Sequence, residues 1–91
     1  MEIKFTSHAW DDFIYLIENE PDAADKVLQL LRAIKTDPFK GLGKPEPLKH
    51  DLKGFWSRRI TGEHRLVYRI CGTRGVDQIC SIIQCRFHYD D

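Results

Sequence analysis

Glu46 stands between Pro45 and Pro47, with Lys44, Lys49 and His50 close by in the chain. A loop glutamate alone is usually just solvated, but a carboxylate set among cations can take a proton from a hydroxyl. Arg59 and Arg65 flank Thr61-Gly62-Glu63, which reads as a hairpin turn. A hairpin symmetric about Gly62 sets the two arginines directly opposite each other. Like charges in that position cost some tenths of a kcal/mol unless an anion sits between them. Such local conflicts survive mainly at sites of function, although the two side chains could also splay into solvent or pair with Glu63 and Asp51. His88 ends the last apolar run and is followed by Tyr89. An imidazole changes charge near neutral pH, so it can protonate a leaving group, although a terminal histidine is more often plain surface. Cleaving RNA through its own 2′-hydroxyl calls for a base on that hydroxyl, a cation at the phosphate and an acid for the 5′-oxygen. Glu46, Arg65 and His88 are a sufficient set, with the nucleophile supplied by the substrate and no cofactor required.

Competing constellations are weaker. Cys85 and His88 could form a thiol nucleophile pair, but strand alternation turns Cys85 toward the core, where it would be inert. His8, His50, His64 and His88 show no metal-ligand spacing, and there is no phosphate-binding or dinucleotide-binding glycine motif. Phe55, Trp56 and Tyr68 read as sheet packing, whereas Tyr89, at an end, is the better platform for a base.

The elements that must position these groups follow from periodicity. Ile3 and Phe5 alternate as a short strand, and Ser7 is a good N-cap for a first helix whose stripe is Trp10, Phe13, Ile14 and Ile17. Asp11 and Asp12 fall in its favourable first turn. Asn19 to Pro21 ends it, and Asp22 caps a second helix with Ala24, Val27, Leu28, Leu31 and Ile34 on one face, stopped by Asp37-Pro38. Residues 38 to 54 hold three of the four prolines without any sustained period. They read as a long, held loop. Strands are expected over 55–60, 65–70 and 79–87, with a looser turn at Gly72 to Gly75. In the last strand, Gln84, Arg86 and His88 share a face opposite Ile83, Cys85 and Phe87. The fold expected is α+β: two N-terminal helices packed on one face of a mostly antiparallel β-sheet in the order β-α-α-β-β-β. One sheet face is left for function.

Ninety-one residues make one domain spanning 1–91. No apolar run approaches the roughly 20 residues of a membrane span, and the start lacks a signal peptide's pattern, so a cytoplasmic protein with no membrane association is expected. Three cysteines, crowded late in the chain and without CxxC spacing, argue against a disulfide framework or structural zinc. Cys80 and Cys85 read as small buried residues. The net charge is zero, but residues 1–25 carry −6, residues 26–69 carry +7 and the remainder −1. Such a dipolar chain can offer a basic face to phosphates, although a mixed solvated surface has the same charge counts.

The run GKPEPLKHDLKGFWSRRITGEHRLVYRI at 43–70, the ending RFHY at 86–89 and SHAWDDF at 7–13 resemble the Txe/YoeB family of toxins from type II toxin–antitoxin systems. That family belongs to the wider RelE/ParE group, with a microbial-ribonuclease-like fold. The resemblance covers nearly the whole chain. It implies a metal-independent endoribonuclease that cleaves mRNA in the A site of the bacterial ribosome, inhibits translation and is neutralised by a YefM-type antitoxin. Operator DNA would be met only through the antitoxin complex, and monomer and homodimer both stay open. The resemblance assigns Glu46 as general base, Arg65 as transition-state stabiliser and His88 as general acid. It gives Tyr89 a part in positioning substrate, and makes Lys49, His50, Arg58 and Arg59 phosphate or RNA contacts. A ParE-like toxin that inhibits gyrase without hydrolysis is the alternative, and it has no need of the Glu46, Arg65, His88 set. Two departures stand out: the stretch CGTRGVDQ at 71–78 is longer than the family's usual turn, and Asp90-Asp91 follow the His-Tyr ending. Two carboxylates beside His88 favour its protonated form yet repel RNA.

Overall fold

The computed structural model describes residues 1–87. Strand β1 (Glu2–Phe5) leads into helices α1 (Ser7–Asn19) and α2 (Pro21–Thr36). Then follow β2 (Glu46–Pro47), a short 3-10 turn (His50–Leu52), β3 (Trp56–Arg59), β4 (Arg65–Cys71) and β5 (Ile79–Gln84). The five strands form one sheet in the order β1-β5-β4-β3-β2. Only β1 and β5 run parallel; the other pairings are antiparallel. Both helices lie on one face, as the sequence leads one to expect. Among the described residues, no helix is long and apolar enough to cross a membrane.

The helices form where expected, but their faces and caps differ. Thr6, not Ser7, caps α1, its Oγ1 accepting from the Ala9 N–H at 3.1 Å. The buried stripe of α1 is Ala9, Asp12, Phe13 and Leu16, while Trp10 and Ile17 are about half exposed. Asp12 hides that stripe from a reading by hydrophobicity. It lies beyond the first turn, is buried, and accepts from the Cys85 N–H at 3.1 Å, so it docks the helix onto the end of β5. Glu20 rather than Asp22 is the cap residue of α2, with Pro21 in the first turn, where its missing N–H costs nothing. Ala23, Ala24, Val27, Leu30 and Ile34 face the core, and Leu28 faces out.

The sheet presents Leu66, Tyr68, Cys80 and Ile82 to the helices, with Ile3, Phe5, Trp56 and Ile70 packed at the margins. Each Leu, Ile or Val side chain so buried is worth about 1.5–3 kcal/mol relative to exposure. Cys80 and Cys85 are both buried, although five residues apart they should face opposite ways in a regular strand. An irregularity in the β4–β5 ladder resolves this. Tyr68 opposes Ile82 but its neighbour Val67 opposes Gln84, so Ile83 is the extra residue of a bulge. The expectation that Ile83 shares the core face is corrected accordingly, whereas Cys85 does face inward.

The 38–54 segment is more structured than a loop. Glu46 and Pro47 add an edge strand against Ser57 and Trp56. Proline is tolerated at such an edge because its neighbour demands no N–H from it. Burial pushes the Cys80 and Cys85 thiols up to about 12, whereas Cys71 is exposed. Iodoacetamide at mildly alkaline pH should therefore modify Cys71 alone in the native protein and all three cysteines in denaturant. Peptide mass spectrometry would show this, and native labelling at Cys85 would contradict the packing.

Candidate active site on the helix-free face of the sheet

Register decides which side chains share the face away from the helices. Glu46 pairs with Ser57, Ser57 with Val67, and Val67 with Gln84, forming one row across four strands. Two residues along β3 and β4, on the same face, Arg59 pairs with Arg65. The like-charge pair read from the hairpin's symmetry is therefore present. Ser57 and Val67 form a buried floor, while Glu46 and Arg59 are exposed and Arg65 is half-buried. Two strand spacings and one two-residue step separate Glu46 from Arg65, a Cα–Cα distance of roughly 12 Å.

Each side chain is aimed by local chemistry. The turn between β3 and β4 is closed by Thr61 Oγ1, which accepts from the Glu63 and His64 N–H groups at 3.1 and 3.0 Å. Its carbonyls then hold Arg65: Nη1 donates to Thr61 O at 2.7 Å and to His64 O at 3.0 Å. Among the described residues Nε and Nη2 of Arg65 have no partner, so the fork is oriented by one arm and presents the other. Lys49 and His50 follow β2 after the buried Leu48, both exposed, with His50 in the left-handed region at φ 55°. His88 and Tyr89 lie outside the described residues. The chain leading to them runs beside Arg65, whose N–H donates to Phe87 O at 3.1 Å.

Arg58 departs from the expectation. Strand alternation sends it to the helix side, where it is fully buried, opposite Leu66. Its Nε donates to Tyr68 Oη at 3.0 Å. Nη1 donates to Leu42 O at 2.9 Å, and Nη2 to Asp37 O at 2.7 Å and Lys40 O at 3.0 Å. Tyr68 in turn donates to Pro38 O at 2.7 Å. Burial pushes the Tyr68 phenol above its usual range, against the pull of the Arg58 hydrogen bond. These donors are spent on loop carbonyls, so Arg58 is not a phosphate contact but the post to which residues 37–42 are tied. Those residues lead to Glu46. Gly43, at φ 87°, completes the attachment by accepting the Arg59 N–H at 2.7 Å. A Cβ there would meet Leu30 Cδ2 at 2.7 Å.

A residue that sequence reasoning left without a role is His64, which is buried and lies between Glu20 and Phe87. Nothing in its spacing marks it, because both partners are set by tertiary structure. His64, Glu20 and Glu63 are also the one group of described residues whose ligand atoms approach a metal-binding spacing.

A two-helix layer on a mostly antiparallel sheet, with a carboxylate and paired arginines on the face away from the helices, defines a compact α+β class of small proteins. Residues 5–89 match the YoeB-like toxins of bacterial type II toxin–antitoxin systems. Toxin YoeB of Streptomyces coelicolor is 47% identical over 89 residues, covering 98% of this chain and 100% of its own. Among solved structures, a YoeB/ParE toxin from Agrobacterium tumefaciens superposes with a TM-score of 0.91 at 48% identity, covering 98% of this chain and all of its own. YoeB from Staphylococcus aureus, solved as a dimer, superposes with a TM-score of 0.86 at 38% identity over 98% of both chains. In a heterotetrameric complex with YefM it superposes with a TM-score of 0.84 at 37% identity, again over 98% of both chains. The chain belongs to the YoeB-like toxin family.

The two neighbouring arginines should behave oppositely on substitution. Arg58→Ala strands several buried carbonyls and is expected to cost about 3 kcal/mol or more. Arg59→Ala relieves a like-charge contact and should leave stability within about 0.5 kcal/mol, on the stabilising side. Denaturant unfolding of both variants would check the contrast.

Proposed function

We propose that this toxin is an endoribonuclease that cleaves mRNA in the ribosomal A site through the substrate's own 2′-hydroxyl. The observation that carries the reading is the shared face: Glu46, Arg59 and Arg65 stand on the same side of the sheet in fixed register. Glu46 takes the proton from the 2′-oxygen as that oxygen attacks the adjacent phosphorus. Arg65, with Arg59 behind it, meets the charge that builds on the phosphoryl oxygens, a contact stronger in the transition state than in the ground state. The bond to the 5′-oxygen breaks, and His88, one residue beyond Phe87, returns a proton to it. The products are a 2′,3′-cyclic phosphate and a 5′-hydroxyl. Every proton and charge is accounted for by side chains, so a metal is not needed for the step. Lys49 and His50 would follow the phosphate backbone, and Tyr89 would stack on or orient the substrate.

The basic face also suits an acidic antitoxin segment, and the YefM complex of the Staphylococcus aureus relative supports a YefM-type partner here. The dimer of that relative supports self-association. Operator DNA would be reached through the antitoxin complex, and the whole chain would act as one domain in the cytoplasm.

Glu46→Gln and Arg65→Ala should each slow cleavage on programmed ribosomes on the order of 10²- to 10⁴-fold while the fold persists. A 2′-deoxy substitution at the scissile nucleotide should abolish cleavage of that link by the unaltered protein. Cleavage of the deoxy link, or full activity in Glu46→Gln, would overturn the reading. Supercoiling inhibition with mRNA left whole would point instead to gyrase.

A further inference from the structure

The pair formed by buried His64 and part-exposed Glu20 has no part in the chemistry above, yet it holds the segment leading to His88. His64 is 1% exposed. Its Nδ1 lies 2.8 Å from the Phe87 N–H. Its Nε2 lies 3.1 and 3.2 Å from the two carboxylate oxygens of Glu20, at the corner between the helices. A backbone N–H can only donate, so Nδ1 must carry its lone pair. The ring proton therefore sits on Nε2 and is donated to Glu20. Glu20 thus selects the tautomer that can accept from Phe87, in the way a carboxylate orients a catalytic or ligating imidazole through its far nitrogen.

The grip on Phe87 is double. Its N–H goes to the His64 ring and its carbonyl accepts from the Arg65 N–H at 3.1 Å. The two rings also meet edge to face, with centroids 5.6 Å apart. Phe87 has φ 60°, the left-handed region that a side chain of its size rarely adopts. Such a conformation persists only where the surroundings over-determine it, and here both polar atoms of the residue are committed. Consecutive residues, 64 and 65, therefore clamp the residue just before His88.

We propose that His64, set in its tautomer by Glu20, is a positioning residue for the cleavage step, fixing Phe87, the residue next to His88 in the chain, beside Arg65. The alternative use of the same groups, a divalent cation on His64, Glu20 and Glu63, runs against this geometry. A metal on Nε2 would move the ring proton to Nδ1, where it would confront the Phe87 N–H donor to donor. The proposal takes the RNA-cleaving role of His88 from the reading above, so its test needs one readout that does not involve cleavage.

Two substitutions separate the halves of the device. The Asn side-chain oxygen can take the place of Nδ1, so His64→Asn keeps an acceptor for Phe87 and gives up the reach to Glu20. Gln places its amide where Nε2 was, so His64→Gln keeps a donor for Glu20 and gives up the acceptor. Hydrogen exchange of the Phe87 amide, followed by NMR, reports the clamp directly, and long-range proton–nitrogen correlation of His64 reports its tautomer. Single-turnover cleavage on programmed ribosomes reports the consequence. The unaltered protein should show a proton on Nε2 of His64 and a protected Phe87 amide. His64→Gln should lose that protection and lower kcat on the order of a hundredfold with KM little changed. His64→Asn should retain protection and stay within about tenfold of the unaltered rate. A merely structural tie between hairpin and helices predicts the reverse order, because the Glu20 contact is the one lost in His64→Asn. The proposal is overturned if His64→Gln keeps both protection and rate, or if His64→Asn falls as far as His64→Gln. It is equally overturned if zinc binds the unaltered protein through His64 while the Phe87 amide stays protected. An unaltered protein that cleaves nothing would defeat the reading of the site, and the Phe87 exchange rates would still decide whether His64 is the clamp.

Discussion

The register of β3 is the constraint on which the rest of the site depends. Ser57, Arg58 and Arg59 are three consecutive residues with opposed destinations. Alternation turns Arg58 into the core, where it ties down the carbonyls of residues 37–42, and turns Arg59 outward to oppose Arg65. One strand therefore anchors the loop that leads to Glu46 and also sets Arg59 opposite Arg65. A slip by one residue would exchange the two arginines, exposing the anchor and burying an unpaired charge. The positions of Glu46, Arg59 and Arg65 all follow from this single choice of register.

The C-terminal side of the site is held differently. Whereas Glu46 lies on an edge strand, the segment leading to His88 leaves the ladder through a bulge and is caught by side chains and single backbone bonds. Asp12 of α1 takes the Cys85 N–H. Gln84 Nε2 donates to Arg86 O at 2.7 Å. Arg86 stacks on Tyr15 with its guanidinium carbon 3.5 Å from the ring centroid. His64 and Arg65 take the two polar atoms of Phe87. Few-bond attachments of this kind open at lower free energy than core strands do.

Much of this was legible from residue types and periods. The helical stretches, the three later strands and the Arg59–Arg65 pairing all follow from local pattern, because turn chemistry around Gly62 sets the register on its own. What escaped was whatever depended on partners distant in the chain. Asp12 reads as a polar position on a helix, and only its bond to the Cys85 N–H shows that it belongs to the buried face. The stripe of α1 was displaced by one position for that reason. Arg58 and Arg59 are indistinguishable by type, and the carbonyls that claim Arg58 are 16 to 21 residues away. Glu46–Pro47 carries prolines that argue against a strand, and an edge position removes the objection. The bulge at Ile83 leaves no mark in composition, yet it is what lets Cys80 and Cys85 both face the core.

Catalysis of the proposed kind requires that one phosphodiester lie between Glu46 and Arg65. The most direct measurement is a structure of the unaltered toxin on a programmed ribosome whose mRNA carries a 2′-deoxy nucleotide at the scissile position. The Glu46 carboxylate should then lie within hydrogen-bond reach of where the 2′-oxygen would stand, with the Arg65 guanidinium on the oxygens of the adjacent phosphate. RNA held elsewhere on the protein, with those two groups contacting different nucleotides, would contradict it.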